Sequence, residues 1–227
     1  ETDRLTRLVN DVLDLSRLES GKIIHLEEMD IKTAIEQTLR NYKLNAIEKN
    51  VTLSHDIEET IPSILGNFDL LLQVFDNLLG NGLKFSPKNS NLIIRAYTWP
   101  DTCPAFPPNN KDDGAPQCEL VSPLPKVRIE IADTGSGISE SDQEKIFDRF
   151  YRVENAVHTE QGTGLGLSIV RGIIEKHGGK ICMASELGVG TTFWFDLVLA
   201  QSDKDELLTQ TLNNKDAYSS SEISEII

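Results

Sequence analysis

Apolar residues recur along this chain with two different periods, and the switches between them predict most of its elements. In residues 1 to 22, Leu5, Leu8, Val12 and Leu15 return at steps of three and four among Asp, Arg, Glu and Asn, the spacing of an amphipathic helix with a seam for other helices. Gly21 marks its end. A single short helix is marginal in water, so this one either meets partner helices that the sequence does not supply or folds back onto the body. Residues 23–29 predict a strand, residues 31–48 a helix with Ile31, Ile35, Leu39 and Ala46 on one side, and residues 51–57 a second strand. A short apolar piece at Ile64 and Leu65 precedes a strong helix over residues 68–85, stopped by Ser86-Pro87. Strands at 92–97 and 127–132 follow. A helix from Leu165 to the Gly178-Gly179 pair and strands at 180–185 and 191–199 complete the series.

Two stretches break the pattern. Residues 98–126 hold seven of the nine prolines together with Asn-Asn and Asp-Asp-Gly, a composition that cannot build a core and reads as an insertion in a hairpin. From Gln201 onward the chain is polar and acidic and reads as a disordered tail. Composition narrows the possibilities further. Hydrophobic residues make up 39%, enough to bury a core, while 22 Lys and Arg against 36 Asp and Glu leave a net charge of -14, which argues against nucleic acid as a partner. Three cysteines cannot all pair and match no metal-ligand spacing, which suits a reducing compartment; whether Cys103 and Cys118 pair stays open. No apolar run approaches the ~18 residues of a membrane span. The start at Glu1, without an initiator Met or a secretory leader, suggests a piece of something longer.

Candidate chemistry begins on the helix over 68–85. With Asn77 as the zero of rotation and about 100° per residue, Asn81 falls near +40° and Lys84 near -20°, while Leu71, Phe75, Leu78 and Leu79 fall on the far side. One face is core; the other carries amides and a cation. Alone, such a face is an ordinary solvated one. Two glycine-rich turns change that reading: Asp133-Thr-Gly135-Ser-Gly137-Ile138 follows an apolar strand, and Gly162-Thr-Gly164-Leu-Gly166-Leu opens a helix. Glycines let a backbone approach a ligand closely, and N–H groups at a helix start favour phosphate. An amide oxygen such as that of Asn81, completed by phosphate oxygens, suits Mg2+, and Lys84 would offset phosphate charge. A carboxylate at Asp133 accepts hydrogen bonds only, which suits an exocyclic amino group such as adenine N6, although a strand-ending turn also uses Asp.

These segments resemble the catalytic, ATP-binding domain of two-component sensor histidine kinases, within the wider class that includes gyrase and the Hsp90 chaperones. Gln73-Val-Phe-Asp-Asn77-Leu-Leu-Gly-Asn81-Gly-Leu-Lys84-Phe-Ser-Pro87 is similar to that family's N box, and Asp133-Thr-Gly135-Ser-Gly137 to its first glycine box. Ile146-Phe147-Asp-Arg-Phe150-Tyr-Arg152 resembles the F box, Gly162-Thr-Gly164-Leu-Gly166-Leu the second glycine box, and Gly188-Val-Gly190-Thr191-Thr-Phe193 the closing segment. The five segments stand in the family's order, and the resemblance covers residues 1 to about 200. The resemblance implies an α+β fold, a two-layer α/β sandwich in which three helices cover one face of a mixed sheet. It implies residues 1–22 as the second helix of a dimerisation and phosphotransfer hairpin, 23–200 as the catalytic domain, and 201–227 as a tail.

The resemblance also implies roles. Asn77, Lys84 and Arg152 would be catalytic and Asn81 would hold Mg2+. Phe85, Asp133, Gly135, Gly137, Ile138, Gly162, Thr163, Gly164, Leu165, Gly166, Leu167 and Thr192 would complete an ATP or ADP site with those four, and residues 149–163 would form a mobile lid. Partners would be the histidine-bearing helix of the longer kinase, a second copy in a homodimer, and a response regulator receiver domain. Arg152-Val-Glu-Asn-Ala-Val-His158-Thr and the Pro-rich insertion look most like the cyanobacterial and plastid branch, the NblS or DspA type, which implies the cytoplasmic portion of a membrane-anchored sensor. Two departures stand out. Gly82 replaces the usual Ala after Asn81, and the His-Glu/Asp-Leu-Arg-like phosphoacceptor stretch is absent: His25, His55, His158 and His177 sit in other contexts. Protein histidine kinase is therefore the first reading. A hydrolytic ATPase of the gyrase or chaperone kind, which needs a Glu where Asn77 stands, is the second.

Overall fold

Asp30 and Asn67 start the two long helices of the body, each by turning its side chain back onto the first turn. The Asp30 carboxylate accepts from the Lys32 amide at 2.8 Å, and the Asn67 side-chain oxygen from the Leu70 amide at 3.1 Å, which satisfies amides left without partners at a helix start. The computed structural model describes residues 2–20, 23–99, 126–153 and 162–200. In chain order the elements are α1 (Thr2–Glu19), β1 (Glu27–Met29), α2 (Ile31–Lys49), β2 (Thr52–Ile57), β3 (Ile64–Gly66) and α3 (Phe68–Phe85). They continue with β4 (Asn91–Trp99), β5 (Lys126–Asp133), α4 (Glu140–Gln143), α5 (Gly166–Lys176), β6 (Cys182–Glu186) and β7 (Gly190–Val198).

The main sheet has the order β2-β4-β5-β7-β6; β2 and β4 are parallel and the remaining pairs antiparallel. It is mixed because α3 carries the chain across between β2 and β4, whereas hairpins join β4 to β5 and β6 to β7, and α4, α5 and β6 intervene between the neighbours β5 and β7. One face alternates Leu92, Ile94 and Ala96 with Val127, Ile129 and Ile131 and with Phe193, Phe195 and Leu197, all buried against α2, α3 and α5. The opposite face carries Arg95, Tyr97, Arg128, Glu130 and Asp196, which satisfy one another. Arg128 donates twice to Asp196, at 2.7 and 3.0 Å, and lies 4.0 Å over the Trp99 ring; the Tyr97 hydroxyl donates to Glu130 at 2.6 Å. The mixed sheet thus has one dry face and one wet face, the two-layer α+β sandwich expected. The insertion, apart from Thr98, Trp99 and Lys126, and the whole tail lie outside the described residues.

Three differences from the sequence reading have physical causes. The expected strand over 23–29 is reduced to Glu27–Met29, because its partner β3 offers only Ile64–Gly66. The four-residue α4 has no buried residue and so carries no periodic signal. The seam on α1 divides. About Leu8, Leu15 and Leu18 turn toward roughly -20° and -80° and pack against the core, while Leu5, Val9, Val12 and Leu13 spread over roughly +40° to +140° and are exposed. The inward stripe lies on α5, where Leu18 approaches within 3.4 Å of the position a side chain on Gly172 would take.

Candidate functional site

The site grows from the end of the sheet where β5 finishes beside the start of β7. Asp133, the last residue of β5, stands opposite Thr191. Its carboxylate accepts the Gly135 amide at 2.8 Å and the Thr191 amide, but burial outweighs both and pushes its pKa above the usual carboxylate value. The backbone around it is closely packed. Gly190 lies on the Asp133 carbonyl and Gly137 on the Glu186 carbonyl, each with positive φ (147° and 65°), so neither position has room for a Cβ. Further main-chain links lock the turn: Ser136 donates to the Phe85 carbonyl at 3.3 Å, and Gly188 to the Ser136 carbonyl at 2.7 Å. The Ser185 hydroxyl accepts the Ile138 amide at 2.8 Å, and Gln143 donates to the carbonyls of Ile138 and Ser185 at 3.0 Å each.

A second group of residues lies along α3. Leu71, Val74, Phe75, Leu78 and Leu79 are buried, while Asn77, Asn81 and Lys84 are half-exposed on the other side, as the helical period requires. Asn77 donates its amide to the Gln73 carbonyl at 2.9 Å, and its oxygen lies 2.5 Å from where a Cβ on Gly166 would stand. The start of α5 therefore rests on Asn77. Lys84 Nζ lies 3.0 Å from the corresponding point on Gly162 and 4.9 Å over the Phe85 ring. The Thr163 hydroxyl accepts the Leu165 amide at 3.3 Å and donates to Asp11 of α1 at 2.7 Å, while Gln73 donates to Asp14 at 2.7 Å. At the base of the expected lid, Phe150 donates to the Gly164 carbonyl at 2.9 Å. Tyr151 donates to Asp142 at 2.7 Å, and with Ser139 it holds that carboxyl below its usual range.

The structure thus brings Asn77 to Gly166, Lys84 to Gly162, and Asp133 to Gly135, and places Ile138 beside the latter turn. Leu165 is buried, so its side chain belongs to the core and only its backbone faces the turn; Leu167 is half-buried on α5. Arg152 is exposed at the edge of the described chain, and His158 with most of the expected lid, residues 154–161, lies outside the described residues. Thr192 requires correction. On β7 the buried side chains are Thr191, Phe193, Phe195 and Leu197, so strict alternation turns Thr192 to the wet face with Asp196. Thr191 takes its place beside Asp133, with its hydroxyl 2.8 Å from Ser185. Sequence reasoning also missed Asp11 and Asp14, whose only local signal is their i, i+3 spacing on one polar side of α1.

An open cavity of about 390 Å³ between α1 and α5 is lined by Leu15, Leu18, Arg149 and Arg171 among others and includes none of Asn77, Asn81, Lys84 or Asp133. Among the described residues no group of three or more His, Cys, Asp or Glu could hold a metal ion. A cation at Asn81 would have to arrive with oxygen ligands of its own, which a nucleotide triphosphate carries.

The family described as histidine kinase-, DNA gyrase B-, and HSP90-like ATPase matches residues 66–201, the span that holds both ends of this site. The chain belongs to this ATPase family. Drug sensory protein A of Synechocystis sp. is 53% identical over 202 residues, covering 89% of this chain and 28% of that protein. The uncharacterized sensor-like histidine kinase ycf26 of Pyropia yezoensis is 51% identical, covering 88% of this chain and 29% of its own length. The chain therefore spans under a third of these curated relatives. Among solved structures, full-length ShkA in complex with AMPPNP superposes with a TM-score of 0.68 at 28% identity, covering 87% of this chain and 37% of that one. The cyanobacterial and plastid likeness read from the sequence is thus shown, as is the sensor-kinase branch of the ATPase family.

Proposed function

We propose that this chain is the ATP-binding catalytic portion of a sensor histidine kinase. It would deliver the γ-phosphoryl group of Mg-ATP to a histidine on a hairpin helix outside this chain, for relay to a response-regulator aspartate. The observation that carries this reading is the packing of the Gly162–Gly166 turn on the Asn77, Asn81 and Lys84 face of α3, with the half-buried Asp133 carboxylate at the other end of the cleft. In this reading Asp133 accepts from the adenine amino group, and Gly135 and Gly137 let the turn pack closely around that carboxylate. Lys84 and the amides of the glycine turn neutralise phosphate charge, Asn77 fixes the turn, and Arg152 reaches the terminal phosphate. Asn81 would hold Mg2+, which supplies charge neutralisation along the triphosphate.

Transfer breaks the bond between the γ-phosphorus and the bridging oxygen, which leaves with the electron pair on ADP, while an imidazole nitrogen forms the new bond to phosphorus. The protein's contribution is position and charge. A hydrolytic ATPase is the weaker reading, because Asn77 cannot act as a base. Its neighbour Asp76 is exposed about 100° around the helix, with its carbonyl engaged by the Tyr42 hydroxyl at 2.9 Å. The name of the Pyropia relative, a sensor-like histidine kinase, supports the kinase reading. In the longer protein α1 would be the second helix of a homodimeric hairpin in the cytoplasmic portion of a membrane-anchored sensor.

The test is to incubate the chain with γ-labelled Mg-ATP, alone and with a separately made phosphoacceptor hairpin. Acid-labile phosphohistidine on the hairpin alone is expected. Phosphate release without the hairpin would favour hydrolysis, and stoichiometric phosphohistidine on the chain itself would show that the nucleophile has been misplaced.

A further inference from the structure

The helices α3 and α5 run side by side in opposite directions and are joined at both ends. At one end Gly166, the first residue of α5, rests on the Asn77 carboxamide. At the other, His177 closes α5, and its ring bridges to the start of α3. Nε2 accepts the backbone N–H of Asn67, the N-cap of α3, at 3.0 Å, and Nδ1 lies 2.8 Å from the Ile173 carbonyl. A donor facing one ring nitrogen and an acceptor facing the other admit one arrangement, a neutral imidazole with its proton on Nδ1. His177 is 3% exposed, so no water replaces either bond. The two spans also agree. From Asn67 to Asn77 the helix rises about 15 Å, and from Gly166 to His177 about 16.5 Å, at 1.5 Å per residue.

We propose that His177 is a positioning residue for the phosphate end of the nucleotide site. By clasping the N-cap of α3 it sets the axial register at which the Gly162–Gly166 turn meets Asn77 and Lys84. This rests on the nucleotide reading given above and adds to it a residue that touches no ligand. The approach at Gly166 is close, since a Cβ there would stand 2.5 Å from the Asn77 oxygen: an axial shift in one direction presses the turn onto the Asn77 side chain, and a shift in the other opens it. The base end is tied to α3 and the sheet instead of α5: Ser136 donates to the Phe85 carbonyl, and Asp133, Gly135, Gly137 and Gly190 are carried by β5, β7 and their turns, so a shift of α5 along α3 leaves it in place. Loss of the clasp therefore weakens the hold on phosphates and leaves the hold on adenine.

The experiment compares ADP with adenosine binding by NMR titration of the whole chain as wild type, His177→Gln and His177→Leu. Glutamine presents one donor and one acceptor and can keep both bonds; leucine keeps volume and loses both. His177→Leu is expected to lose about tenfold in ADP affinity with adenosine affinity within about twofold, since displacements near 1 Å in such sites are costly. His177→Gln is expected to stay within about threefold of wild type for both ligands. An unchanged ratio of ADP to adenosine affinity in His177→Leu, whether both fall together or neither falls, overturns the proposal, as does equal impairment by glutamine and leucine. Wild-type chain that binds neither ligand overturns the nucleotide reading itself.

Discussion

The two ends of the cleft are built by opposite means. At the base end the links mostly engage the main chain: β5 ends beside the start of β7, and Gly137 and Gly190 lie directly on neighbouring carbonyls. At the phosphate end the links are mostly side chain, and they join segments far apart in the chain. The hydrogen bond from Thr163 to Asp11 spans 152 positions. Backbone contacts come with the sheet and cannot be adjusted without unfolding it. Side-chain contacts between helices are adjustable, and in a site that must bind and release phosphate that freedom is placed where the charge changes.

The largest effect should separate glycines that share positive φ but differ in surroundings. Gly190→Ala meets the Asp133 carbonyl, whereas Gly178→Ala, with φ of 75°, has nothing within 4 Å. Backbone strain costs each about 1–2 kcal/mol, and overlap adds about 1–3 kcal/mol at Gly190 alone. For a chain of this size the expected fall in Tm is about 5–10 °C for Gly190→Ala and roughly half that or less for Gly178→Ala. Equal losses in thermal melts would remove the distinction between the ends.

Next in size is nucleotide affinity. Asp133→Ala removes a half-buried carboxylate, and loss of its charged hydrogen bond should weaken ADP and adenosine alike by about 1.5–3 kcal/mol. Lys84→Met should weaken ADP but not adenosine, with a loss that shrinks at high salt. Calorimetry at two ionic strengths checks both. Undiminished affinity in Asp133→Ala would sink the adenine assignment.

The same contrast explains what could be read in advance. The α3 face was legible because a 3.6-residue period and the Ser86-Pro87 stop both act within the helix. Asp133 and the glycine turns were legible because strand ends and tight turns are local chemistry. The side of β7 facing the cleft was not, since the phase of a strand is set by its neighbour: Thr191 pairs with Asp133, and Thr192 turns away. His177 was placed correctly at a helix terminus, but its partner Asn67 lies 110 positions earlier and no local pattern announces it. For the same reason nothing near Asp11 or Asp14 points to Thr163 or Gln73.

Acid should loosen the clasp at His177. Burial lowers its pKa, with the Ile173 carbonyl opposing, so the folded chain resists a proton that the unfolded chain accepts near pH 6.5. Stability from this group is full above about pH 6.5 and falls as pH drops from there toward the lowered folded value. Asp133 acts in the opposite sense, because its raised pKa makes the folded chain favour protonation as acid is added. The difference in Tm between wild type and His177→Gln isolates the histidine. That difference should shift against wild type as pH falls below 6.5, and a pH-independent difference would refute the neutral clasp.

The smallest effect concerns the carboxylate that α1 brings to the phosphate end. Asp11 accepts from Thr163, the neighbour of Gly162, and Gly162 lies beside Lys84 Nζ. A negative charge there opposes an incoming polyphosphate and takes up part of the positive potential that Lys84 offers. Asp11→Asn can keep the hydrogen bond, since an amide oxygen also accepts from a hydroxyl, while it removes the charge. Partly exposed charges at this range are worth a few tenths of a kcal/mol to about 1 kcal/mol, so ADP affinity should rise about two- to fourfold and adenosine affinity should not move. The gain should be larger for ATP than for ADP and should fade as salt is raised toward molar concentration. If Asp11→Asn instead weakens ADP, the Asp11 contact supports the glycine turn more than its charge opposes phosphate. The phosphate end would then be as rigidly specified as the base end, and the contrast between them would fail.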